Sequence, residues 1–273
     1  MTRRRPRLFR IFFAAPLICL LAPCRRLTAG PVPAANSTFD SYVRAVESRL
    51  AGQHRSQRGF LAPFEPARLR AEELIVERLV PADAAHPPGA MLHHWRGTAF
   101  APGATAADFE RLLRDFDSYP RHFSPQVTAA RVLAQETDRV QTTMRVRQQH
   151  GISIVMDTTY DVAFGRLDSH RGYSTSRSTR IAEIAAPGTA SEHVLSLAKE
   201  HGFLWRQNTY WSWEESDGGL VIQIESISLS RSIPHGLGWA ISPFVESVPR
   251  DTLEFTLRAA VNALRKPANR GGK

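Results

Sequence analysis

The feature that most constrains this fold is a series of extended segments in the second half of the chain. Apolar and polar side chains alternate along most of them, and a period of two residues is typical of strands with one buried face. The segments predicted as strands are residues 126–135, 139–149, 152–164, 170–184, 203–215 and 219–232. The turn SDGG at 216–219 predicts a tight hairpin between the last two, because glycine reaches the positive φ that such turns require.

A strand and a short helix precede this series. MLHHWRGTAFAP reads as a strand, and GATAADFERLLRDF follows it as a helix. The apolar side chains of that helix recur at helical spacing and share one face: Phe109, Leu112, Leu113 and Phe116.

One long helix follows the strands, beginning with GWAIS and ending near residue 266. We expect Pro249 in its first turn, where proline is favoured. Its predicted buried stripe consists of Leu253, Leu257, Val261 and Leu264. An antiparallel sheet with one apolar face needs a cover, and this is the long apolar helix available. We therefore predict an α+β fold in which a curved antiparallel sheet of about six or seven strands wraps around the C-terminal helix and leaves a space beneath it.

The positive charge of the chain is concentrated at its N-terminus. The formal net charge is +9, but residues 1–29 hold seven arginines and no acid, which leaves 28 basic and 26 acidic residues in the remainder. A nearly balanced remainder does not support a nucleic-acid partner, and none is predicted. An apolar run of 14 residues follows the first arginines. It is short for a spanning helix, which needs roughly 20 residues, and typical of a signal peptide.

Residues 1–29 are therefore predicted to be a signal peptide of an exported protein, periplasmic or secreted. The alternative is an uncleaved anchor at residues 11–24, which would keep the protein near a membrane. Both cysteines, Cys19 and Cys24, lie in or beside the apolar run. A cleaved chain would have no thiol, which excludes a disulfide framework, a cysteine nucleophile and a cysteine-based zinc site.

Metal and cofactor chemistry has little support in the sequence. His93 and His94 are neighbours on a predicted strand, so their side chains point to opposite faces and do not favour a shared metal. The sequence has no nucleophile elbow, P-loop or dinucleotide-binding glycine motif. No metal, cofactor or catalytic residue is predicted with these patterns.

The segment 30–89 is predicted to be an N-terminal extension with a helix near 38–51. Ser37 could cap this helix, with Asp40 in its first turn. Its apolar stripe predicts packing on the main body: Phe39, Tyr42, Val43, Val46 and Leu50. ELIVERLV, further along, fits either a strand or a turn of helix.

Aromatic residues cluster in HGFLWRQNTYWSWEES. Alternation places Phe203, Trp205, Trp211 and Trp213 on one strand face. Such wide rings suit the wall of a cavity for a flat or long apolar ligand, although they could equally pack against the terminal helix. Further predicted wall positions lie on the neighbouring strands: Met144, Met156 and Tyr160.

Glu225 is the ionisable residue of greatest interest, in the strand LVIQIESISLSR. If it is buried it requires a partner, and Arg177, Arg180 and Arg206 are available on other strands. A buried ion pair that holds the sheet together is favoured over a general acid or base.

The order and spacing of three segments resemble the START-like superfamily, also called SRPBCC or helix-grip proteins. They are TAADFERLLRDFDSYPRHFSPQVTAARVL, IESISLSRSIP and ESVPRDTLEFTLRAAVNAL. The resemblance covers roughly residues 90–266, and we take 90–267 as the START-like domain and 268–273 as a disordered tail. It implies a helix-grip fold with a deep, mostly apolar cavity between sheet and C-terminal helix. Members bind lipids, sterols, polyketides and other hydrophobic molecules, and a minority are cyclases or hydrolases.

The resemblance also gives a role to the loop DFDSYPRHFSP, which would border the cavity mouth. Tyr119, His122 and Phe123 are then candidate gate residues. The function predicted is binding of a lipid or similar hydrophobic small molecule. One alternative is a cyclase- or hydrolase-type enzyme that uses Glu225, His122 or Arg177 in the cavity. Another is a structural protein whose own side chains fill it.

Overall fold

Each extended segment predicted from the alternation is a strand in the computed structural model, which describes residues 30–70, 74–80, 84, 86–150, 152–232 and 238–265. The predictions for residues 1–29 and 268–273 lie outside these described residues. The strands are β1 (Ile75–Arg78), β2 (Ala90–Pro102), β3 (Val127–Gln135), β4 (Arg139–His150), β5 (Ile152–Arg166), β6 (Arg171–Ala185), β7 (His193–Val194), β8 (Arg206–Ser216) and β9 (Gly219–Arg231). The helices are α1 (Pro33–Gln53), α2 (Pro66–Arg70), α3 (Ala106–Arg114), α4 (Tyr119–His122) and α5 (Gly238–Leu264), with a 3-10 helix at Phe116–Ser118.

All strand pairs are antiparallel and follow the order β1-β2-β9-β8-β6-β5-β4-β3, with β7 attached to β6. Among the described residues the sheet has nine strands, where six or seven were predicted. β1 and β7 account for the difference, because strands of four and two residues are too short to show a period in the sequence. β1 is the segment that fitted either a strand or a helix.

One face of the sheet, here called the concave face, packs against α3 and α5. It carries Ala99, Trp211 and Ile222, and they belong to the same buried cluster as Leu253 and Leu257 of α5. The predicted stripe of α5 is confirmed, since Leu253, Leu257, Val261 and Leu264 are all buried.

Glycine at position 97 lets α5 approach β2 closely. A Cβ placed there would lie 2.6 Å from Cδ2 of Leu253 and 3.0 Å from Cδ2 of Leu257. At the opposite end of the sheet, Nε2 of Gln148 in β4 donates to the hydroxyl of Thr252, 3.5 Å away. The sheet therefore closes on α5 from both sides, and the predicted helix-grip fold is confirmed. Pro249 was placed wrongly in the first turn: α5 begins at Gly238.

The opposite, convex face is covered by α1 where β2, β9 and β8 lie side by side. The predicted apolar stripe of α1 packs there against Leu92, Tyr210 and Ile227. The expectation of a single apolar face is therefore wrong for these strands, because the N-terminal extension covers the second one.

The helix α1 also begins earlier than predicted. It starts at Pro33, with Val32 as the N-cap residue, because proline has the backbone angle that a first helical turn needs. Ser37 lies inside the helix rather than at its cap, and Asp40 is not in the first turn.

No helix in the described part of the chain is long and apolar enough to cross a membrane.

Candidate ligand site

The concave face has a tightly packed region under α3 and the C-terminal half of α5. Trp213 is 1% exposed and Trp211 7% exposed. The ring of Phe109 in α3 meets both edge-on, at centroid distances of 5.2 Å and 5.3 Å. These two tryptophans therefore lie on the predicted face, and in this structure they pack within the core.

The other region of the concave face is less tightly covered. Trp95, Ser226 and Thr209 face one another across β2, β9 and β8, and each is only half-buried. Gln207, one pleat further along β8, is half-buried as well. Partly exposed side chains on the inner side of a sheet indicate space beside this part of the concave face.

This region carries a row of hydrogen-bonding groups. The Tyr160 hydroxyl donates to Oε1 of Gln207 at 3.0 Å, and Nε2 of Gln207 donates to the Ser226 hydroxyl at 3.4 Å. Burial raises the pKa of Tyr160 to about 12, so its hydroxyl stays protonated as a donor. The row is uncharged and lies among apolar neighbours.

Trp95 has an unsatisfied polar atom in the same region. Its Nε1 is buried and has no hydrogen-bond partner among the described residues. An unpaired buried N–H costs about 1–3 kcal/mol, so such groups are rare in native proteins and need an explanation. A ligand that supplies an acceptor atom is one explanation.

The remaining predicted wall residues do not all line the concave face. Met156 is fully buried, and Met144 is partly buried against the concave core. Phe203 and Trp205 precede β8, which begins at Arg206, and so they do not continue its alternation. Phe203 is 40% exposed, and Trp205 packs beside the cluster that α1 covers.

The predicted gate residues lie in and beside α4. Tyr119 contacts Phe116 and Phe123 through their rings, and its hydroxyl donates to the Leu113 carbonyl oxygen at 2.8 Å. Phe123 is buried in the concave core. His122 is half-buried, and its Nε2 lies 3.2 Å from the Arg121 guanidinium.

Glu225 lies on the convex face, under α1. Its carboxylate accepts from Nη2 of Arg49 at 2.5 Å and from Nε2 of His94 at 2.9 Å. On its other side, Nδ1 of His94 forms a hydrogen bond with the Tyr42 hydroxyl at 2.9 Å. Burial alone would raise the pKa of Glu225, but the hydrogen bonds from His94 and Arg49 lower it to about 2. Glu225 thus belongs to a buried ion pair, with partners other than the three arginines proposed from the sequence.

Arg177 also points to the convex face. Its Nε donates to Oε1 of Glu47 in α1 at 2.7 Å, and the Tyr210 hydroxyl donates to the same oxygen at 2.9 Å. Arg177 further lines an open groove of about 680 Å³ between α1 and the strands β4–β6. The residues of the enzyme alternative are therefore not brought together: Glu225 and Arg177 face α1, while His122 lies in α4.

A further contact along this interface was missed in the sequence. His54, just after α1, bonds through Nε2 to the Ser212 hydroxyl at 2.8 Å and stacks on Tyr173 at a centroid distance of 4.0 Å. Burial lowers the pKa of His54 to about 4, so the ring is neutral at pH 7. The sequence did contain a signal for this interface: Tyr42 and Arg49 lie beside the apolar stripe of α1, on the side of the helix that packs on the sheet.

Metal ligation finds no geometric support in the described residues. Nowhere among them do three or more His, Cys, Asp or Glu side chains come together as possible ligands. His93 and His94 point to opposite faces as expected: His94 bonds to Glu225, whereas His93 approaches Ser230 on the concave side at 3.5 Å.

No family model matches the sequence, and the search of curated proteins returned no match. The structure is similar to an aromatase/cyclase from a Streptomyces species, with 14% identity over 67% of this chain and 99% of that one and a TM-score of 0.46. It is also similar to a STAR-related lipid transfer protein from Xanthomonas axonopodis, with 19% identity over 70% and 99% of the two chains and a TM-score of 0.42. A third similar structure is human STARD10, with 10% identity over 74% of this chain and 82% of that one and a TM-score of 0.42. The helix-grip fold is shown by the strand order and the closing helix of this chain itself.

Proposed function

We propose that this protein binds a hydrophobic small molecule, such as a lipid, between the concave face of the sheet and α5. The observation that carries the proposal is the group of half-buried side chains on the concave face, Trp95, Gln207, Thr209 and Ser226. Side chains that face a covering helix in a filled core are normally excluded from solvent, as Trp213 is here.

The composition of this region suits an apolar ligand with a few polar atoms. Binding sites for small molecules are mostly apolar, with a small number of placed hydrogen-bonding groups. Here the aromatic ring of Trp95 and the side chain of Met144 supply apolar surface, and Tyr160, Gln207 and Ser226 supply neutral hydrogen bonds.

Native mass spectrometry of the purified protein, followed by organic extraction, tests the proposal. We expect a reproducible co-purifying hydrophobic molecule. A variant that fills the region, Thr209→Trp, should lose it while keeping the circular dichroism spectrum of the wild type.

The matched control is Thr179→Trp, which adds the same ring at an exposed position of β6. The control should retain the molecule. Absence of any ligand from the wild type, together with failure to bind added lipids, would favour the alternative in which the protein fills its own interior.

We further propose that the protein is exported and that residues 1–29 direct it, as a cleaved signal or as an anchor. Fractionation of cells that carry a C-terminally tagged chain, with N-terminal sequencing of the product, distinguishes the two. A cytosolic product with an intact N-terminus would contradict export.

A further inference from the structure

Arg78 in the edge strand β1 lies beside the half-buried region of the concave face. It is the register partner of Trp95 in β2, and directly opposed residues of an antiparallel pair project to the same side. Val76, two residues earlier, packs against the concave core, which places Arg78 on that side as well.

The guanidinium of Arg78 is exposed, and no described residue hydrogen-bonds or ion-pairs with it. The contrast with Arg96 is informative. Arg96 projects from β2 to the convex face, where its Nη2 donates to Glu77 at 2.9 Å. Among the described residues, Arg96 therefore has a counter-ion at this edge and Arg78 has none.

The surroundings of Arg78 are rich in hydrogen-bond donors. Trp95 presents its unpartnered Nε1–H, and Ser226, Ser228 and Ser230 follow one another on the concave side of β9. His93 lies two residues before Trp95 on the same face, and its pKa is lowered to about 4 by burial, with the charge of Arg78 contributing. The strand register thus places Arg78 and His93 on the same side of the sheet, on neighbouring strands.

Carboxylates of the same strands are directed elsewhere. The acids in β1 and β9 are Glu77 and Glu225, and both face the convex side, where they bond to Arg96 and to Arg49 with His94. Within the described residues of β1, β2 and β9, the concave side thus combines a positive charge with neutral donors and has no carboxylate to balance them.

We propose that the polar end of the ligand is an acidic group, a carboxylate or a phosphate, held by Arg78 and by Nε1 of Trp95. Its apolar part would extend along the concave face toward Gln207 and Tyr160. The planar fork of a guanidinium matches both acidic groups, and the neutral indole donor adds directionality. This inference rests on the proposed function, since it specifies the ligand class of that same site.

The competing interpretation is that Arg78 is a solvated charge that protects an edge strand from pairing with other chains. The two differ in what they predict for binding. If the charge only protects the edge, the protein should bind acidic and neutral amphiphiles with similar affinity. If the charge anchors the ligand, the protein should bind acidic amphiphiles more tightly than neutral ones.

Displacement of a bound uncharged fluorescent dye, Nile red, measures the discrimination with the full-length protein. The competitors are a long-chain fatty acid, its methyl ester and a lysophosphatidic acid of the same chain length. We expect both acids to displace the dye at concentrations about 10-fold or more below the ester. Whichever acid is preferred identifies the source, a free fatty acid or a phospholipid.

Arg78→Gln should remove most of that 10-fold preference and leave displacement by the ester unchanged. Trp95→Phe keeps an aromatic ring but lacks the N–H, and should weaken all three competitors by a few-fold. The control, Arg131→Gln, removes the same charge from an exposed position on the other edge strand, β3, and should behave as the wild type.

Failure of the two proposals is distinguishable in this assay. If Nile red and all three competitors fail to bind the wild type, the proposed hydrophobic site itself is wrong. If the ester competes as well as the acids, or if Arg78→Gln keeps the preference, the site stands and the acidic-ligand inference is overturned.

Discussion

Glu225 gives the sharpest prediction about stability. Its carboxylate is only 3% exposed, and its charge is balanced by residues of other elements, Arg49 and His94. We consider Glu225→Gln, which keeps the size of the side chain and removes the charge. The variant leaves Arg49 without its carboxylate, and the hydrogen bond from His94 loses its charge assistance.

The pKa of the Glu225 carboxyl determines how much stability the charge contributes. It falls from an ordinary 4.5 to about 2 in the folded protein. One pKa unit corresponds to about 1.4 kcal/mol, so the ionised form stabilises the fold by roughly 3 kcal/mol at pH 7. Against a typical total of about 5–15 kcal/mol, this is a large share.

The pH dependence follows from the direction of the change. Because the pKa is lower in the folded state, the unfolded chain binds more protons between pH 2 and pH 4.5. The contribution of Glu225 is complete above that window and is lost as the pH falls through it. At pH 3, roughly half of it should remain.

Urea unfolding followed by tryptophan fluorescence measures this at pH 7 and pH 3. We expect Glu225→Gln to be less stable than the wild type by about 3 kcal/mol at pH 7 and by about half as much at pH 3. Glu136→Gln, at an exposed position, serves as control and should stay within about 0.5 kcal/mol of the wild type. Equal losses at both pH values would refute an electrostatic origin, and a loss under about 1 kcal/mol at pH 7 would refute the magnitude.

Three further predictions concern packing, burial and capping. Gly97→Ala should lower the free energy of unfolding by about 1–3 kcal/mol in urea titrations, because its Cβ would clash with α5. The control Gly52→Ala in α1 has open space around the new Cβ and should stabilise the protein slightly. Equal effects of the two substitutions would contradict the close approach of α5 to β2. His54 has its pKa lowered from 6.5 to about 4, so the free energy of unfolding of the wild type should fall by up to about 3 kcal/mol as the pH falls through that window. In His54→Gln this decrease should be smaller. An unchanged dependence of stability on pH would exclude His54 as its source. Thr105→Ala removes the capping box of α3 and should lower Tm by about 2–4 °C in thermal scans. Thr105→Ser keeps the capping hydroxyl and should have a Tm near that of the wild type. Equal Tm values for the two variants would show that the cap does not contribute to stability.

The fold was predictable because its signals are local and repeated. Alternation over ten or more residues fixes both the strand and its two faces, which is why Trp211 and Trp213 could be assigned to one face before the structure was known. Short elements lack that redundancy. β1 and β7 were not predicted as strands for this reason, and the start of β8 at Arg206 removed Phe203 and Trp205 from its alternation.

The partners of the charged residues were not predictable, because they depend on contacts between distant parts of the chain. Arg49 and Glu225 are separated by 176 positions, and nothing near either residue in the sequence indicates the other. From the sequence, arginines on other strands were considered, because the sequence did not show where on the main body α1 would pack. Once α1 covers the convex face, a helix residue becomes the closest cation.

The two sides of β2 lead to a last prediction, which separates stability from binding. Arg96 and Trp95 are neighbours that project to opposite faces, and they pair in register with Glu225 and Ser226 of β9. Glu225→Gln acts on the convex side, so it should destabilise the fold yet leave the preference for acidic amphiphiles within about twofold of the wild type in the dye assay.

Arg78→Gln should show the reverse pattern, because its charge has no counter-ion among the described residues. Loss of an exposed cation changes the free energy of unfolding by less than about 0.5 kcal/mol, but here it removes the proposed anchor for an acidic group. The sheet separates the two sites physically, so the effects should add in the double variant. If Glu225→Gln reduced the acid preference as strongly as Arg78→Gln does, the two faces would not be independent, and the assignment of the acidic group to the concave side would fail.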